Sequence, residues 1–217
     1  MAVLLAVFAD LVCPWCCIGH HRLASVLALP HIQQLRVQVR HRPFQLDPGT
    51  PVEGRDLRAH LGARFGSRSA VDSAFARVAG VARDDGITID FSKITRSPST
   101  ALAHRLVMLA DRRGLAFGRA LLGALFTAYF ERGEDIGAAA VVEPHARAVL
   151  GAAAAAEIGE VLHGGALVAE LSAHLAHAQA IGVTGVPLFV ADERLAVSGA
   201  QSADVLERLL VEAARGG

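Results

Sequence analysis

The tetrapeptide Cys13-Pro14-Trp15-Cys16 lies between an apolar run, Val3-Leu4-Leu5-Ala6-Val7-Phe8, and a helix-like stretch opening at Cys17-Ile18-Gly19. A Cys-x-x-Cys pair at a strand–helix junction constrains fold and chemistry together. Two thiols at this spacing can close a small disulfide ring, and the helix N-terminus stabilises a thiolate on the first. Pro14 falls where a helix accepts proline, because first-turn N–H groups have no intrahelical partner. On this reading Cys13 is the more exposed, lower-pKa nucleophile. Cys16, one turn further in, is the more buried resolving thiol.

All three cysteines fall within residues 13–17, so no structural disulfide framework can be built from them. The alternatives to redox chemistry are a structural pair or half a zinc site. Zinc would need a second ligand pair, and the nearest candidates, His20 and His21, lie on the same short segment, a sterically poor arrangement. Cys17 reads as a small buried apolar residue, since adjacent cysteines bond each other only under strain. Asp10 reads as a cap for the turn after the first strand, with tuning of the thiols or proton relay as its other role.

The chain has 217 residues, 53% of them hydrophobic and 19% charged, which predicts a well-buried core and argues against disorder. Basic and acidic residues balance at 21 each, so nothing draws the chain toward nucleic acid or an anionic membrane. No apolar stretch reaches the ~18–20 residues of a membrane-spanning helix. The N-terminal residues lack the basic start of a signal peptide. They read as a core strand, and the expected localisation is cytoplasmic.

Along the chain, residues 3–8 read as a strand, 14–29 as a helix ended by Pro30, and 35–41 as a second, alternating strand. Pro43, Pro48, Gly49, Pro51 and Gly54 mark a loop with no regular element. Helices are expected over 71–81, 99–113 (with Ser/Thr capping after Pro98), 115–131, 138–150, 152–163 and 166–181. Residues 187–190 and 194–197 suggest an antiparallel hairpin, followed by an amphipathic helix over 202–214. The order βαβ, helices, ββα gives one mixed sheet flanked by helices, an α/β fold with a helical subdomain inserted between its halves. The expected domains are 1–47 for the first half, 48–180 for the insertion and 181–217 for the second half.

Gly182-Val183-Thr184-Gly185-Val186-Pro187 precedes the hairpin, and a Val-Pro step entering a strand suits a cis-proline. With Cys-Pro-Trp-Cys and the interrupted order, it resembles the DsbA-like branch of the thioredoxin superfamily. Phe8 to Gly19, Ala128-Tyr129-Phe130 with Asp135-Ile136, and Val197-Ser198-Gly199-Ala200-Gln201 resemble the FrnE-type DsbA-family oxidoreductases. These are related to 2-hydroxychromene-2-carboxylate isomerases and kappa-class glutathione transferases. The resemblance implies a thioredoxin fold with a cis Pro187 beside the dithiol. It further implies a Val186 backbone that pairs with bound peptide or glutathione, and a Trp15 that sets redox poise and contacts substrate. Pro14 and Phe44 join these as expected substrate contacts. Cys17 stands where that family places an aromatic, and Pro98 where it commonly has Asn.

The expected function is thiol–disulfide exchange by Cys13 and Cys16 with protein or low-molecular-weight thiols. The alternative is a glutathione-dependent isomerase or transferase acting on an aromatic small molecule, and a third option is a non-enzymatic binding module for unfolded chains. No cofactor or metal is expected, with glutathione as an optional co-substrate. A homodimer is an allowed assembly.

Overall fold

The computed structural model describes residues 2–216, so Met1 and Gly217, the outer ends of the expected domains, lie outside the described residues. The chain begins with β1 (Leu4–Ala9), α1 (Pro14–Leu27), a short α2 (Pro30–Gln33) and β2 (Gln38–Pro43). Next come β3 (Arg55–Asp56), α3 (Leu57–Phe65), α4 (Arg68–Asp84), β4 (Arg96–Ser97), α5 (Ala101–Arg113) and α6 (Leu115–Phe130). The rest comprises α7 (Ala139–Leu150), α8 (Ala155–His163), α9 (Val168–Ala180), β5 (Leu188–Ala191), β6 (Leu195–Ser198) and α10 (Ala203–Arg215).

The main sheet has the order β2-β1-β5-β6. β1 pairs with β2 in parallel, from Leu4↔Gln38 to Ala9↔Pro43, and with β5 antiparallel, with Val7 opposite Phe189. β1 is thus central, which is why its sequence is an uninterrupted apolar run rather than an alternation. One apolar cluster joins this sheet to α1 and α10 through Leu5, Val7, Leu23, Phe189, Leu206 and Leu210. α10 supplies Leu206, Leu209, Leu210 and Ala213 at helical spacing, which puts them on one buried face. A second cluster fills the helical insertion around Leu106, Leu121, Leu125 and Phe130, and it also takes in Cys13, Cys16, Cys17 and Ile18. The start of α1 therefore lies in the core of the insertion and its later turns in the core of the sheet.

Several expected boundaries shift, each for a local reason. α1 stops at Leu27, and Pro30 opens α2 instead of ending a helix, because proline fits a first turn. β2 starts at Gln38 and not at residue 35, since Arg36 takes a left-handed φ of 50°. β3 and β4, absent from the sequence reading, pair as a two-residue ribbon with Arg55 opposite Ser97. α3 begins directly behind β3, capped by the Asp56 carboxylate, which accepts the Ala59 N–H. Ser67 caps α4 in the same way, so that helix starts three residues before the apolar pattern does. α5 starts at Ala101, and the Thr100 side chain caps nothing, contrary to the expected Ser/Thr capping. Asp192 and Glu193, both at positive φ, turn the β5–β6 hairpin.

Phe189 is fully buried at the centre of β5, and its ring lies against α1 at Gly19. A Cβ at Gly19 would stand 3.1 Å from both the Phe189 ring and Pro187 Cγ, so the helix approaches the sheet closely only because glycine is there. Phe189→Ala is expected to cost about 3–5 kcal/mol, measured as a lowered urea midpoint at unchanged slope.

Candidate active site

Cys13 is the N-cap residue of α1, in extended conformation, with Pro14 in the first turn. Its N–H donates to the Asp10 carbonyl at 3.1 Å, closing the turn that leaves β1. Its carbonyl accepts the Cys16 and Cys17 N–H groups at 3.0 and 3.2 Å. This anchors both ends of the dithiol loop. The thiols are unbonded, and Cys13 Sγ donates to the Val186 carbonyl at 3.6 Å. The Val186–Pro187 peptide is cis, and buried Pro187 packs against α1 at Gly19.

The expected contrast in exposure is corrected here: Cys13 is 3% exposed and Cys16 1%. Val186 covers Cys13 from the β5 side, and the residues that follow the second strand close in around the turn. Access is through a cavity. A volume of about 340 Å³ opens onto Cys13, Pro14, Trp15 and Val186, with Phe75, Phe91 and Tyr129 among its apolar walls. Phe75 and Phe91 stack at 3.9 Å between centroids, and Tyr129 donates its hydroxyl to the Arg96 carbonyl at 2.9 Å, fixing α6 to β4. The helical insertion thus builds one side of the cavity and the dithiol turn the other. Phe44 is the expected contact that the structure does not bring there. Its half-buried side chain packs with Phe8, Ala178 and Val183.

Burial raises the Cys16 thiol well above its ordinary value, and the hydrogen bond and charge of Cys13 push in the same direction. Cys17 lies in the insertion core and is pushed up to about 12, first by burial and then by the charge of Cys13. It remains a neutral thiol at physiological pH. His21 is exposed, while His20 is half-buried behind the dithiol, where it shares a small cavity with Cys16.

Three polar residues that the sequence reading left without a joint role form the buried floor of the site. Asp10 is 1% exposed. Its Oδ2 accepts the Leu46 N–H at 2.8 Å, and its Oδ1 lies 3.3 Å from His104 Nε2. Asp10 therefore does not cap its own turn but ties it to the segment after β2. His104 Nδ1 is 3.1 Å from His41 Nε2, with the rings nearly parallel. A signal for this was present in the sequence: His41 occupies an inward position of an alternating strand, beside Val39 and Pro43.

Behind Cys16 lies a second, small cavity of about 20 Å³, walled by His20, His41, Asp111, Arg119 and apolar neighbours. Burial, followed by the Arg119 and His21 charges, lowers His20 to about 4. Burial, then the neighbouring histidines and Arg42, lowers His41 well below its ordinary value. Burial also raises Asp111 to about 7.

These shifts contribute to the pH dependence of stability. A histidine with a lowered folded pKa stabilises the fold above its unfolded value, and that contribution is lost as pH falls from 6.5 toward 4 for His20. Asp111 acts oppositely, losing its contribution as pH rises from 3.8 to about 7. Across the acidic range these two histidines outweigh the one carboxyl, so unfolding takes up protons on balance. Urea midpoints are expected to fall on acidification, and Asp111→Asn to steepen that fall.

The DSBA-like thioredoxin domain family matches residues 4–211. No curated protein matches the sequence. A probable DsbA oxidoreductase from Streptomyces coelicolor is 31% identical, with a TM-score of 0.84 over 97% of this chain and 89% of that one. A 2-hydroxychromene-2-carboxylate isomerase shares the fold at 13% identity, with a TM-score of 0.73 over 98% of this chain and 97% of that one. So does the cytosolic disulfide reductase DsbM from Pseudomonas aeruginosa, at 18% identity and a TM-score of 0.69, over 99% of this chain and 100% of that one. With a match to the family over residues 4–211 and a 31% identical oxidoreductase of the same fold, the chain belongs to the DSBA-like thioredoxin domain family of thiol–disulfide oxidoreductases.

Proposed function

We propose that Cys13 and Cys16 exchange a dithiol for a disulfide with protein or low-molecular-weight substrates that reach Cys13 through the large cavity. The observation that carries this reading is the placement of the two sulfurs. Cys13 lines the cavity beside the Val186 backbone, whereas Cys16 lies behind it and lines only the small rear cavity. In the reducing direction the Cys13 thiolate attacks one sulfur of a substrate disulfide, forming a mixed disulfide and releasing the first thiolate. Cys16 then loses its proton and attacks Cys13 Sγ, which closes the protein disulfide and releases the second thiolate. The substrate gains two electrons and the protein dithiol loses them. The Val186 backbone, beside the reacting sulfur, is the place for an extended peptide or glutathione to pair. The cytoplasm suits this chemistry, because no cysteine outside 13–17 depends on an oxidising compartment; the DsbM neighbour is likewise described as cytosolic.

The apolar walls of the large cavity favour one second reading, a glutathione-dependent isomerase or transferase whose aromatic substrate sits against Phe75, Phe91 and Tyr129. One neighbour of the same fold is a 2-hydroxychromene-2-carboxylate isomerase, and DsbM has a structure with glutathione.

Replacing Cys16 separates the readings. For dithiol exchange, Cys16→Ser is expected to stall as a mixed disulfide on Cys13 after treatment with glutathione disulfide. Its insulin-reduction turnover is expected to fall by about 100-fold or more, as for loss of a reacting group. Unchanged turnover, with tight binding of reduced glutathione and no adduct, supports the isomerase or transferase instead.

A further inference from the structure

Resting on the dithiol reading, the second step requires Cys16 to give up a proton in a place that water barely reaches. Its thiol lines the small rear cavity, about 20 Å³ in volume, which is room for one water molecule. With His104 neutral, its hydrogen bonds fix which ring nitrogen of His41 carries the hydrogen. The Phe44 carbonyl only accepts, so His104 Nε2, 3.0 Å away, carries a hydrogen. The same N–H faces Asp10 Oδ1 at 3.3 Å. In the neutral ring His104 Nδ1 is then an acceptor, and His41 Nε2, at 3.1 Å, is its donor. This leaves a lone pair on His41 Nδ1. That nitrogen is buried and has no hydrogen-bond partner among the described residues, on a ring that shares the rear cavity with Cys16.

An imidazole with one bare nitrogen, held in its tautomer by a donor chain ending on a buried carboxylate, is how a protein makes a base beside a nucleophile. We propose that His41 Nδ1 is the base of the resolving step, taking the Cys16 proton across their shared cavity while His104 and Asp10 fix its tautomer and stabilise the resulting imidazolium. In that step the Cys16 S–H bond breaks and its proton passes to His41. The Cys16 sulfur bonds to Cys13 Sγ, and the bond from Cys13 Sγ to the substrate sulfur breaks, with the electron pair leaving on the substrate thiolate. The protein dithiol is thereby oxidised and the substrate reduced.

The groups facing His41 suit a neutral base at physiological pH. They are Cys16 and His20 from α1, His104 and Asp111 from α5, Arg119 from α6, His174 from α9, and Arg42 on its own strand. Burial, the largest cause, disfavours an imidazolium at rest, so the lone pair is available. Asp111 is the carboxyl on the cavity wall.

The two steps separate in time when reduced protein meets one equivalent of a symmetrical aromatic disulfide whose leaving thiolate absorbs visible light. The first thiolate released reports attack by Cys13, and the second reports resolution by Cys16. His41→Gln is expected to slow the second phase by about 100-fold or more, the lower range for a positioned base, with a much smaller effect on the first. Its second phase is expected to rise with pH as Cys16 ionises, where the native protein shows a nearly flat profile around neutrality. His104→Gln is expected to slow the second phase to a lesser degree. A native second phase in His41→Gln, or equal slowing of both phases, overturns the role of His41. The native protein also tests it without substitution, through a solvent deuterium isotope effect confined to the second phase, and the absence of that effect overturns it too. A native protein that releases only one thiolate overturns the dithiol reading itself.

Discussion

The Asp10 carboxylate holds the site together. A buried carboxylate is tolerated only when hydrogen bonds replace its hydration, and here each oxygen has a partner from a different part of the chain. The Leu46 N–H comes from the segment after β2, and His104 comes from α5 in the insertion. The Asp10 backbone carbonyl meanwhile accepts the Cys13 N–H. One residue therefore ties the end of the central strand, the dithiol turn and the first long helix of the insertion. Loss of the carboxylate would break a part-buried hydrogen bond and leave the Leu46 N–H short of its partner, a penalty of about 1–3 kcal/mol, while His104 Nε2 would keep the Phe44 carbonyl.

This tie explains why the helical insertion is part of the active site. The thiols belong to its apolar cluster, not to that of the sheet, and its helices supply the aromatic walls opposite Cys13. The sheet contributes the opposite constraint. Phe189 and Pro187 press on Gly19 of α1, which fixes how close the dithiol turn comes to Val186. Arg22 adds a third point by bridging Asp85, after α4, and the Ala200 carbonyl. Helix α1 is held along its length by both halves of the protein, so its N-terminus has little freedom to move away from either cavity.

What could be read in the sequence divides along physical lines. β1, α1, the β5–β6 hairpin and α10 declare themselves because their apolar residues follow one period against one core. The Cys13–Cys16 pair declares itself through spacing. The β3–β4 ribbon does not, since two residues have no period, and Arg55-Asp56 and Arg96-Ser97 are polar. The Asp10–His104–His41 chain stayed hidden for a different reason. Its members are separated by 94 and 63 residues, and only the packing of α5 on β2 brings them together. Each residue alone reads as an ordinary polar side chain. The Cys13 exposure misled for the same reason: a helix start is usually open to solvent, but here a loop some 170 residues away closes over it.

In the proposed exchange, the two cavities divide the chemistry according to what each step needs. The first step needs space, because a substrate sulfur has to line up with Cys13, and the large apolar cavity supplies that space while admitting bulky chains. The second step needs only a proton sink, since both reacting sulfurs already belong to the protein, and the rear cavity admits nothing larger than water. Separating them protects the intermediate. A second substrate thiol in the large cavity can reach the mixed disulfide on Cys13, but it has no route to Cys16. The competition between escape and resolution is then set by how fast Cys16 loses its proton, a property of the polar groups behind it. Burial alone would make that loss slow, because it holds the Cys16 thiol far above its ordinary pKa. In the proposed exchange, a resolving thiol buried this deeply calls for a base buried alongside it.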